Sequence, residues 1–288
     1  MCLDCRVIDN DPTYPLGPAA GDRIMIPAEF DITGKVVFVT GAGRGIGKGI
    51  AQVLAEAGAD IAINALTPKY VEPVAAELAA ATGRRVVPVV ADVTRADGVQ
   101  RAVDQVLAAF GRIDVLVNAL GDSIRKPLVG LPGTALAGDP ISDDDLRFIM
   151  DINLTEALLC TRAVGPHMLT RGSGKVINVA AWTAHQGGRE MVLYTTAKTA
   201  LAGFTRAQAL EWARHGVQVN CIAPGLFPDI VTGGEARMRR SVERAKTDVP
   251  LGRIGQLREA GLLALYLASS ASDYMTGQTI LLDGGLGL

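Results

Sequence analysis

Tyr194 and Lys198 stand four positions apart in a stretch rich in alanine. Four residues make about one helical turn, so a helix would bring the phenol and the ammonium onto one face. A free tyrosine has a pKa of about 10 and is a poor acid or base at neutral pH. Because a neighbouring positive charge favours the phenolate, we expect Lys198 to lower the pKa of Tyr194 toward the range of proton-transfer catalysis. The same spacing is common on solvated helix faces. Whether the pair is catalytic must therefore be judged from the other motifs of the chain.

A run of glycines is the second feature that could do chemistry. It follows an apolar segment at 36–39 and leads into a helical pattern at 46–57. Its residues are Thr40, Gly41, Ala42, Gly43, Arg44, Gly45, Ile46 and Gly47. A phosphate needs close approach to the backbone and free N–H donors at a helix N-terminus, and glycine permits both. The order of strand, glycine turn and helix therefore predicts a dinucleotide site.

Apolar runs alternate with helical patterns along most of the chain. The predicted strands are 36–39, 61–63, 86–90, 115–117, 176–179, 217–222 and 279–282. The helical patterns are 46–57, 71–81, 98–110, 143–168, 194–215 and 259–268. Strands that are apolar throughout and separated by helices indicate a parallel sheet covered on both faces. The predicted fold class is α/β: one Rossmann-type domain at 34–288, with a doubly wound parallel sheet of seven strands and helices on both faces. Proline and glycine at 1–33 predict an irregular N-terminal arm.

Composition indicates the cellular compartment and the classes of partner that we expect for the protein. The chain has 288 residues, a formal net charge of −2 and a pI of about 6.0, so no basic field indicates nucleic acid or an anionic membrane. Its apolar runs are too short for a bilayer and its first residues lack a secretory signal, so we expect a cytoplasmic protein. Cys160 and Cys221 lie in apolar segments and are expected in the core. Cys2 and Cys5 have the spacing of a redox or metal pair, but without a second pair no metal site is expected.

Seven motifs in chain order resemble those of the short-chain dehydrogenase/reductase family, in particular its 3-oxoacyl-carrier-protein-reductase-like members. The glycine turn has that family's T-G-x-x-x-G-x-G spacing rather than the common G-x-G-x-x-G. The other six are Asp92 before Val93, Asn118 to Gly121 in place of N-N-A-G, Asn153, Tyr194 with Lys198, Pro224 with Gly225, and a T-G-Q and D-G-G pattern at 276–285. The resemblance extends over about 34–285.

This resemblance implies hydride transfer between NAD(P)(H) and a ketone or secondary alcohol. Tyr194 would exchange a proton with the substrate oxygen. Lys198 would lower the pKa of Tyr194 and bind the nicotinamide ribose, and Asn153 would anchor a water-linked proton relay. The resemblance also implies a homotetramer or dimer in which helices at 143–168 and 194–215 pack across an interface. The predicted cofactor contacts are Thr40, Gly41, Arg44, Gly45, Ile46, Gly47, Ala65, Asp92, Val93, Asn118, Gly121, Tyr194, Lys198, Pro224 and Gly225.

The residue after the second strand bears on the choice of cofactor. An acidic side chain there binds the adenosine ribose and repels a 2′-phosphate. That position is Ala65, and Arg44 in the glycine turn could pair with the phosphate. The sequence therefore favours NADP(H). NAD(H) stays open, because Asn64 could serve the ribose and Arg44 could be a solvated loop residue.

The family's catalytic serine, thirteen residues before the tyrosine, is replaced by Ala181. Loss of one such hydrogen-bond donor costs on the order of 10²–10³ in rate in other enzymes. Thr183 is predicted to supply a replacement hydroxyl, although the substrate could also carry its own activating group. Donors from neighbouring loops are the other candidates: His185, Ser123 and Asp122. The rival function is a nucleotide-binding sensor or structural subunit without turnover, but the retained tyrosine, lysine and asparagine favour an enzyme.

Two segments are candidates for the walls of the substrate pocket. The first is extra length around 130–140, which forms either a pocket wall or a surface excursion. The second follows Pro224 and Gly225, where the family has a mobile lid, and it is basic. Its charges either attract an anionic substrate, such as an acyl thioester on a phosphorylated carrier, or form a solvated helix face. The basic residues are Arg237, Arg239, Arg240, Arg244 and Lys246, and the apolar lining candidates are Ile230, Val231 and Met238.

Overall fold

One parallel sheet of seven strands organises the molecule. The computed structural model describes residues 27–130 and 139–288, and all seven predicted strands lie in these ranges. They are β1 (Val36–Val39), β2 (Asp60–Ala65), β3 (Val86–Val90), β4 (Val115–Asn118), β5 (Gly174–Val179), β6 (Val217–Pro224) and β7 (Thr279–Leu282). Their order across the sheet is β3-β2-β1-β4-β5-β6-β7, and every neighbouring pair is parallel. The predicted fold class is confirmed.

Helices connect the strands and cover both faces of the sheet. Within the described ranges they are α1 (Gly45–Glu56), α2 (Pro68–Thr82), α3 (Ala96–Phe110), α4 (Asp143–Met150), α5 (Glu156–Arg171), α6 (Thr183–Gln186), α7 (Val192–Trp212), α8 (Ile230–Asp248) and α9 (Leu257–Ala268). The prediction of one continuous helix at 143–168 is wrong, because a π-helical turn at Asp151–Thr155 separates α4 from α5. Helix α8 has no counterpart among the predicted helices, since its sequence is mostly polar.

The sheet is buried on both faces, which explains why its strands are apolar throughout. Along β1, Val37 and Val39 pack with residues of α1, α2 and α9. Val36 and Phe38 point to the opposite face and pack with residues of α3 and α5. All four side chains are at most 4% exposed. Successive strand residues thus belong to two hydrophobic clusters on opposite faces. Because both faces are buried, polar residues do not alternate with apolar ones along the strand.

The described residues before β1 pack on the domain. Ile32 is 1% exposed within the cluster that covers α1, and the ring of Phe30 lies 6.2 Å from that of Tyr266. The rest of the predicted arm, with its two cysteines, falls at 1–26 and lies outside the described residues. Most of the predicted pocket wall, 131–138, lies outside them as well. Cys160 and Cys221 are buried and unpaired, as predicted for core residues.

The sheet order reverses next to β1, and this reversal creates the crevice that holds the candidate site. The chain leaves β1 toward β2 on one side, whereas β4 pairs with β1 on the other. The loops after these strands therefore diverge at the carboxyl edge of the sheet, where ligands bind in doubly wound folds. No helix in the described part of the chain is long and apolar enough to cross a membrane.

Candidate active site

Two adjoining cavities open at the carboxyl edge of the sheet, and Tyr194 lines both. One, the turn cavity, has a volume of about 270 Å³ and is bordered by the glycine turn, the loop after β4 and Lys198. The other, the lid cavity, has a volume of about 240 Å³ and is bordered by the loops after β5 and β6 and by α8. Ser123 and Arg237 also line both cavities. A group bound in one cavity would therefore contact a group bound in the other beside the tyrosine.

The glycine turn fits a phosphate-bearing ligand. Gly41 has a φ of +61°, and a Cβ on it would lie 2.8 Å from the Cα of Leu120. A Cβ on Gly47 would lie 2.7 Å from the carbonyl oxygen of Gly41. Helix α1 begins at Gly45, and no side chain caps its first N–H groups. Uncapped N–H groups and the positive end of the helix dipole suit the pyrophosphate of a dinucleotide.

Helix α7 carries Tyr194 and Lys198 one turn apart, as predicted. Lys198 is 3% exposed, and its Nζ donates a hydrogen bond of 2.8 Å to the carbonyl oxygen of Val179 at the end of β5. The same Nζ lies 5.9 Å from the centre of the Tyr194 ring. The ammonium is thus fixed in the floor of the turn cavity rather than solvated.

The expected lowering of the Tyr194 pKa is wrong for this arrangement. Burial of the phenol, reinforced by the charge of Asp122, raises the pKa of Tyr194 to about 12. Burial lowers the pKa of Lys198 to about 8, although Glu156 and Cys221 oppose this shift. Loss of hydration therefore sets the direction of both shifts. Tyr194 is a protonated acid at neutral pH, and Lys198 is a cation that titrates close to that range.

Asn153 lies on the π-helical turn, which directs its side chain toward the site. Its Nδ2 donates to the carbonyl oxygens of Asp122 at 2.8 Å and Ile149 at 3.0 Å. Its Oδ1 is buried and has no hydrogen-bond partner among the described residues. A Cβ on Gly121 would lie 2.7 Å from this Oδ1 and 3.1 Å from the Nζ of Lys198. An acceptor in need of a donor thus lies close to the buried ammonium.

Ala181 lines the lid cavity beside Tyr194, so a methyl group occupies the wall where the family has a hydroxyl. Thr183 begins α6; it is 1% exposed, and its hydroxyl has no partner among the described residues. Neither Thr183 nor His185 borders the turn cavity or the lid cavity. Ser123 borders both. The predicted role of Thr183 as the substitute donor stays a prediction, and the geometry points more directly to Ser123.

Cations gather where the adenosine end of a dinucleotide would lie. The Arg44 guanidinium lies 5.5 Å from the centre of the Tyr70 ring, and its Nε is 3.4 Å from Asp229 Oδ2. Lys69 Nζ lies 5.4 Å from the same ring. Arg44 is thus a loop residue, 39% exposed, that contacts both Tyr70 and Asp229. Sequence reasoning did not identify Lys69 or Tyr70, although both follow β2 by only a few residues.

Asn64 is not available for a ribose. It is 1% exposed, and its Nδ2 donates to the carbonyl oxygens of Val89 at 3.0 Å and Ala91 at 3.1 Å. The side chain thus ties the end of β2 to β3. The next residue, Ala65, ends β2, and its Cβ lies 3.3 Å from where a Cβ on Gly43 would stand. No carboxylate occupies this position.

Several predicted cofactor residues do not border the two cavities. Asp92 Oδ1 accepts hydrogen bonds from the backbone and hydroxyl of Thr94 at 3.0 and 2.6 Å. Asn118 is buried and donates to Thr161 and Asn178 at 3.1 and 2.8 Å. None of the following predicted contacts lines the turn or lid cavity: Thr40, Ala65, Asp92, Val93 and Asn118. The predicted contacts that line one or both are Gly41, Arg44, Gly45, Ile46, Gly47, Gly121, Tyr194, Lys198, Pro224 and Gly225.

Helix α8 forms the basic side of the lid cavity. It is interrupted at Gly234, which has a φ of +63°. Beyond that break, Arg237, Ser241 and Arg244 are spaced by four and three residues, so they share one face, and all three border the cavity. Arg239 instead pairs with an acidic residue of its own helix. Arg244 is paired in the same way with Asp248 at 2.7 Å, so Arg237 is the cation of this face that has no acidic partner among the described residues. The attraction of an anionic substrate stays a prediction.

Glu156 is a buried residue near the site that sequence reasoning missed. It is 1% exposed and accepts a hydrogen bond of 2.5 Å from the hydroxyl of Thr40. Burial raises the pKa of Glu156 to about 7, although Thr40 and Lys198 oppose the shift. The signal was present in the sequence: Glu156 is followed at intervals of four by Cys160 and Val164, which are both buried. A carboxyl on such a stripe points into the core.

Comparison with known proteins agrees with this site. A family profile described as enoyl-(acyl carrier protein) reductase matches residues 41–287. The 2-dehydro-3-deoxy-D-gluconate 5-dehydrogenase of Escherichia coli K12 is 36% identical over 266 residues, which cover 91% of this chain and 98% of that protein. A 3-oxoacyl-[acyl-carrier-protein] reductase of Synechocystis is 35% identical over 257 residues, which cover 88% of this chain and 98% of that protein.

A solved structure extends the similarity to three dimensions. The gluconate 5-dehydrogenase of Burkholderia cenocepacia J2315, crystallised in complex with NADP and tartrate, superposes with a TM-score of 0.80 at 34% identity. The match covers 90% of this chain and 97% of that one. Similarity of this extent, together with the glycine turn and the Tyr194–Lys198 pair, identifies the chain as a member of the short-chain dehydrogenase/reductase family of NAD(P)-dependent oxidoreductases.

Proposed function

We propose that this protein is an NADP(H)-dependent oxidoreductase that interconverts a ketone and a secondary alcohol on a small anionic substrate. The observation that carries the proposal is the position of Tyr194 on the common wall of the turn and lid cavities. A dinucleotide in the first cavity and a substrate in the second would meet at its hydroxyl. Tyr194, Lys198 and Asn153 are the proposed catalytic residues.

Each of these side chains has a distinct part in the proton transfer. Bound NADPH supplies the hydride that reaches the carbonyl carbon of the substrate. In reduction, the Tyr194 hydroxyl gives its proton to the carbonyl oxygen; in oxidation, it takes the proton back. The Lys198 ammonium stabilises the negative charge that develops on the tyrosine oxygen. The unpaired Oδ1 of Asn153 accepts from a water that returns the proton from solvent.

Ser123 supplies the hydrogen bond that Ala181 lacks, in this proposal, because Ser123 borders both cavities. Its hydroxyl would stabilise the developing charge on the substrate oxygen in the same way as the family's serine. Thr183 takes that role only if its hydroxyl turns out of the core.

The cofactor assignment rests on the charges around Tyr70. Arg44 and Lys69 place two cations there, and Ala65 leaves the position without a repelling carboxylate. A 2′-phosphate gains charge-assisted hydrogen bonds in such surroundings. The Burkholderia relative was crystallised with NADP, which supports the same choice.

The substrate class rests on the unpaired cations of the lid cavity. Arg125 and Arg237 border this cavity, and neither has an acidic partner within 4 Å among the described residues. An unneutralised guanidinium at a binding wall favours a carboxylate or a phosphate. Related proteins are named for sugar-acid substrates, and the Burkholderia structure contains tartrate, a dicarboxylate. A carboxylate-bearing ketone therefore suits the cavity better than an acyl thioester on a phosphorylated carrier.

The proposed assembly is a cytoplasmic homotetramer or dimer. Large apolar side chains are exposed on the helices at the expected interface, namely Leu146, Phe148, Leu158 and Leu210. Leu210 is 84% exposed, and burial against a second copy would remove it from water. Light scattering coupled to gel filtration measures the assembly directly.

The function is tested by NADPH oxidation with ketones that carry a carboxylate and with uncharged ketones of similar size. Tyr194→Phe is the decisive variant, because it keeps the ring and removes the hydroxyl. We expect wild-type turnover with the carboxylate-bearing ketones and a loss on the order of 10²–10⁴ in kcat for Tyr194→Phe. NADPH affinity should stay within a few-fold. Binding of NADPH without any turnover that depends on Tyr194 would contradict the proposal and leave the sensor or structural role.

A further inference from the structure

Glu156 is a buried carboxyl group near the site that the proposed chemistry does not use. It is the first residue of α5, directly after the π-helical turn that holds Asn153, and it is 1% exposed. A carboxyl group that is removed from water loses a large hydration energy unless other groups replace it. Its immediate partners therefore indicate what it does.

Thr40 allows Glu156 to exist in either protonation state. The Thr40 hydroxyl has one proton and two nearby acceptors: Glu156 Oε1 at 2.5 Å and the carbonyl oxygen of Val117 at 3.4 Å. When Glu156 is a carboxylate, Thr40 donates to it. When Glu156 is an acid, the acid can donate to Thr40, whose own proton then turns to Val117. The Thr40 hydroxyl is paired in both states, so its hydrogen bond does not determine whether Glu156 is ionised.

Lys198 is the buried cation next to this part of the chain. Its Nζ and Asn153 Oδ1 lie 3.1 and 2.7 Å from the place of a Cβ on Gly121, and Glu156 follows Asn153 by three residues, at the end of the same π-helical turn. Glu156 and Lys198 each favour the ionised form of the other, against the loss of hydration that both suffer. The balance leaves the pKa of Glu156 at about 7 and that of Lys198 at about 8. The two groups thus titrate in the same narrow range and form a coupled pair.

The other titratable groups around this pair do not replace it. Cys160 on α5 and Cys221 on β6 are buried, and burial raises the pKa of both thiols, so they are neutral. Tyr194, on the same helix as Lys198, is protonated. Asp122, in the loop after β4, acts on Tyr194, whereas the groups that raise the pKa of Lys198 are Glu156 and Cys221. Glu156 is therefore the carboxylate that balances Lys198.

We propose that Glu156 is a positioning residue whose buried negative charge keeps Lys198 protonated during the reaction. Without this counter-charge, Lys198 would lose its proton at a lower pH. The neutral amine would no longer stabilise charge on the oxygen of Tyr194. This inference rests on the proposed function, in which the Lys198 cation supports proton transfer by Tyr194.

The test compares the pH dependence of ketone reduction in the wild type and in Glu156→Gln. Glutamine keeps the volume and the acceptor for Thr40 and removes only the charge. We expect the alkaline limb of the kcat profile to move to lower pH by about one unit, with kcat near pH 6 unchanged within a few-fold. Glu156→Asp, which keeps the charge but not the contact with Thr40, should retain a profile close to that of the wild type.

Asp114→Asn is the matched control. Asp114 is a second buried carboxylate, 5% exposed, but it lies before β4 at the opposite edge of the sheet, where it accepts from the backbone N–H of Val36. Its loss should reduce stability and leave the pH profile of the reaction in place. A shift in both variants would show a general effect of instability and would overturn the role given to Glu156.

A second measurement needs neither cofactor nor substrate. Melting temperatures of the wild type, Glu156→Gln, Lys198→Met and the double variant form a thermodynamic cycle. If the two charges interact, the melting temperature of the double variant should fall by less than the sum of the falls for the two single variants. Additive shifts, or identical pH profiles for the wild type and Glu156→Gln, would overturn the inference. Failure of the proposed function would look different, since the wild type itself would show no turnover dependent on Tyr194.

Discussion

The side-chain oxygen of Asn153 and the ammonium of Lys198 converge on one backbone position, where a Cβ would lie 2.7 Å from the first and 3.1 Å from the second. That position is Gly121, which ends the segment that resembles the family's N-N-A-G motif. In the proposed relay, a water in the space left by the absent side chain would contact both groups. Gly121 has no positive φ, so we expect this space, rather than the loop conformation, to require glycine.

Gly121→Ala should therefore impair catalysis. The added methyl would push Asn153 Oδ1 or Lys198 Nζ aside, and a displacement near 1 Å in a catalytic group can cost on the order of 10² in rate. Steady-state kinetics would show the loss in kcat. Gly203→Ala on α7 is the matched control, because its methyl would meet nothing closer than 3.9 Å. Equal kinetics for the two variants would contradict the relay.

The missing hydroxyl predicts a gain of function. Ala181→Ser should raise kcat for ketone reduction by up to about 10-fold if a donor still limits the rate, because the new hydroxyl would enter the lid cavity beside Tyr194. Ser123→Ala should lower kcat by about 10-fold or more, and Thr183→Val should leave it within two-fold. A larger loss of kcat for Thr183→Val than for Ser123→Ala would assign the role of donor to Thr183. If Ala181→Ser gives no gain and neither Ser123→Ala nor Thr183→Val lowers kcat, the substrate itself carries the activating group.

Arg44→Leu should change the coenzyme preference. Loss of charge-assisted hydrogen bonds to the 2′-phosphate should raise the KM for NADPH by about 10–100-fold and leave that for NADH almost unchanged. The ratio of kcat/KM for the two coenzymes measures the effect. Lys48→Met is the control, since this cation of α1 is paired with Glu77 at 2.8 Å. A parallel loss with both coenzymes would show that Arg44 serves the fold of the turn instead.

Arg237→Met should weaken the binding of carboxylate-bearing ketones. We expect the KM to rise by about 10-fold, because the guanidinium borders the lid cavity without an acidic partner among the described residues. Uncharged ketones should be affected much less. Arg239→Met removes a neighbouring cation that is paired with Glu235 at 3.3 Å, and it should leave both KM values in place. Equal effects of the two variants would argue for a nonspecific electrostatic field.

The two directions of the reaction should respond differently to pH. Ketone reduction needs the protonated forms of Tyr194 and Lys198, whose pKa values are about 12 and about 8. Its rate should be level below about pH 8 and decline above it. Alcohol oxidation needs Tyr194 to accept a proton, so its rate should rise with pH up to about pH 8, above which Lys198 loses the charge that stabilises the tyrosine oxygen. Initial rates in both directions between about pH 6 and pH 10 would check this, and a reduction rate that rises with pH would contradict it.

The sequence was sufficient for the sheet and for the glycine turn, Tyr194 and Lys198, which line the turn cavity. Strands such as β1 are apolar throughout because both faces are covered, and this pattern is legible without coordinates. The motif spacing likewise led to Tyr194, Lys198 and Asn153. Helix α8 was absent from the predicted helical patterns, and its basic part was considered as a helix only in the interpretation as a solvated face, because few of its residues are apolar. The π-helical turn was missed because it arises from the path of the backbone, and no residue pattern in the sequence marks it.

Charge states were the least predictable property of the site. The proximity of Lys198 suggested a lowered pKa for Tyr194, but the sign depends on how much water each group loses on folding. That loss is a property of the whole surrounding shell and cannot be read from a spacing of four residues. Glu156 shows the same difficulty, since a single glutamate in a helix is ordinarily solvated. Only its place on a buried stripe distinguishes it.

The contact between Arg44 and Asp229 connects two parts of the site that are usually considered separately. Asp229 caps the first turn of α8 by accepting from the backbone N–H of Val231 at 3.0 Å. In the proposed cofactor site, Arg44 would therefore contact both the first turn of α8 and a 2′-phosphate. If the phosphate draws Arg44 away from Asp229 and a substrate moves α8, thermodynamic reciprocity requires that each ligand alter the affinity for the other by the same factor. Coenzyme selectivity in this protein should accordingly depend on which substrate is present.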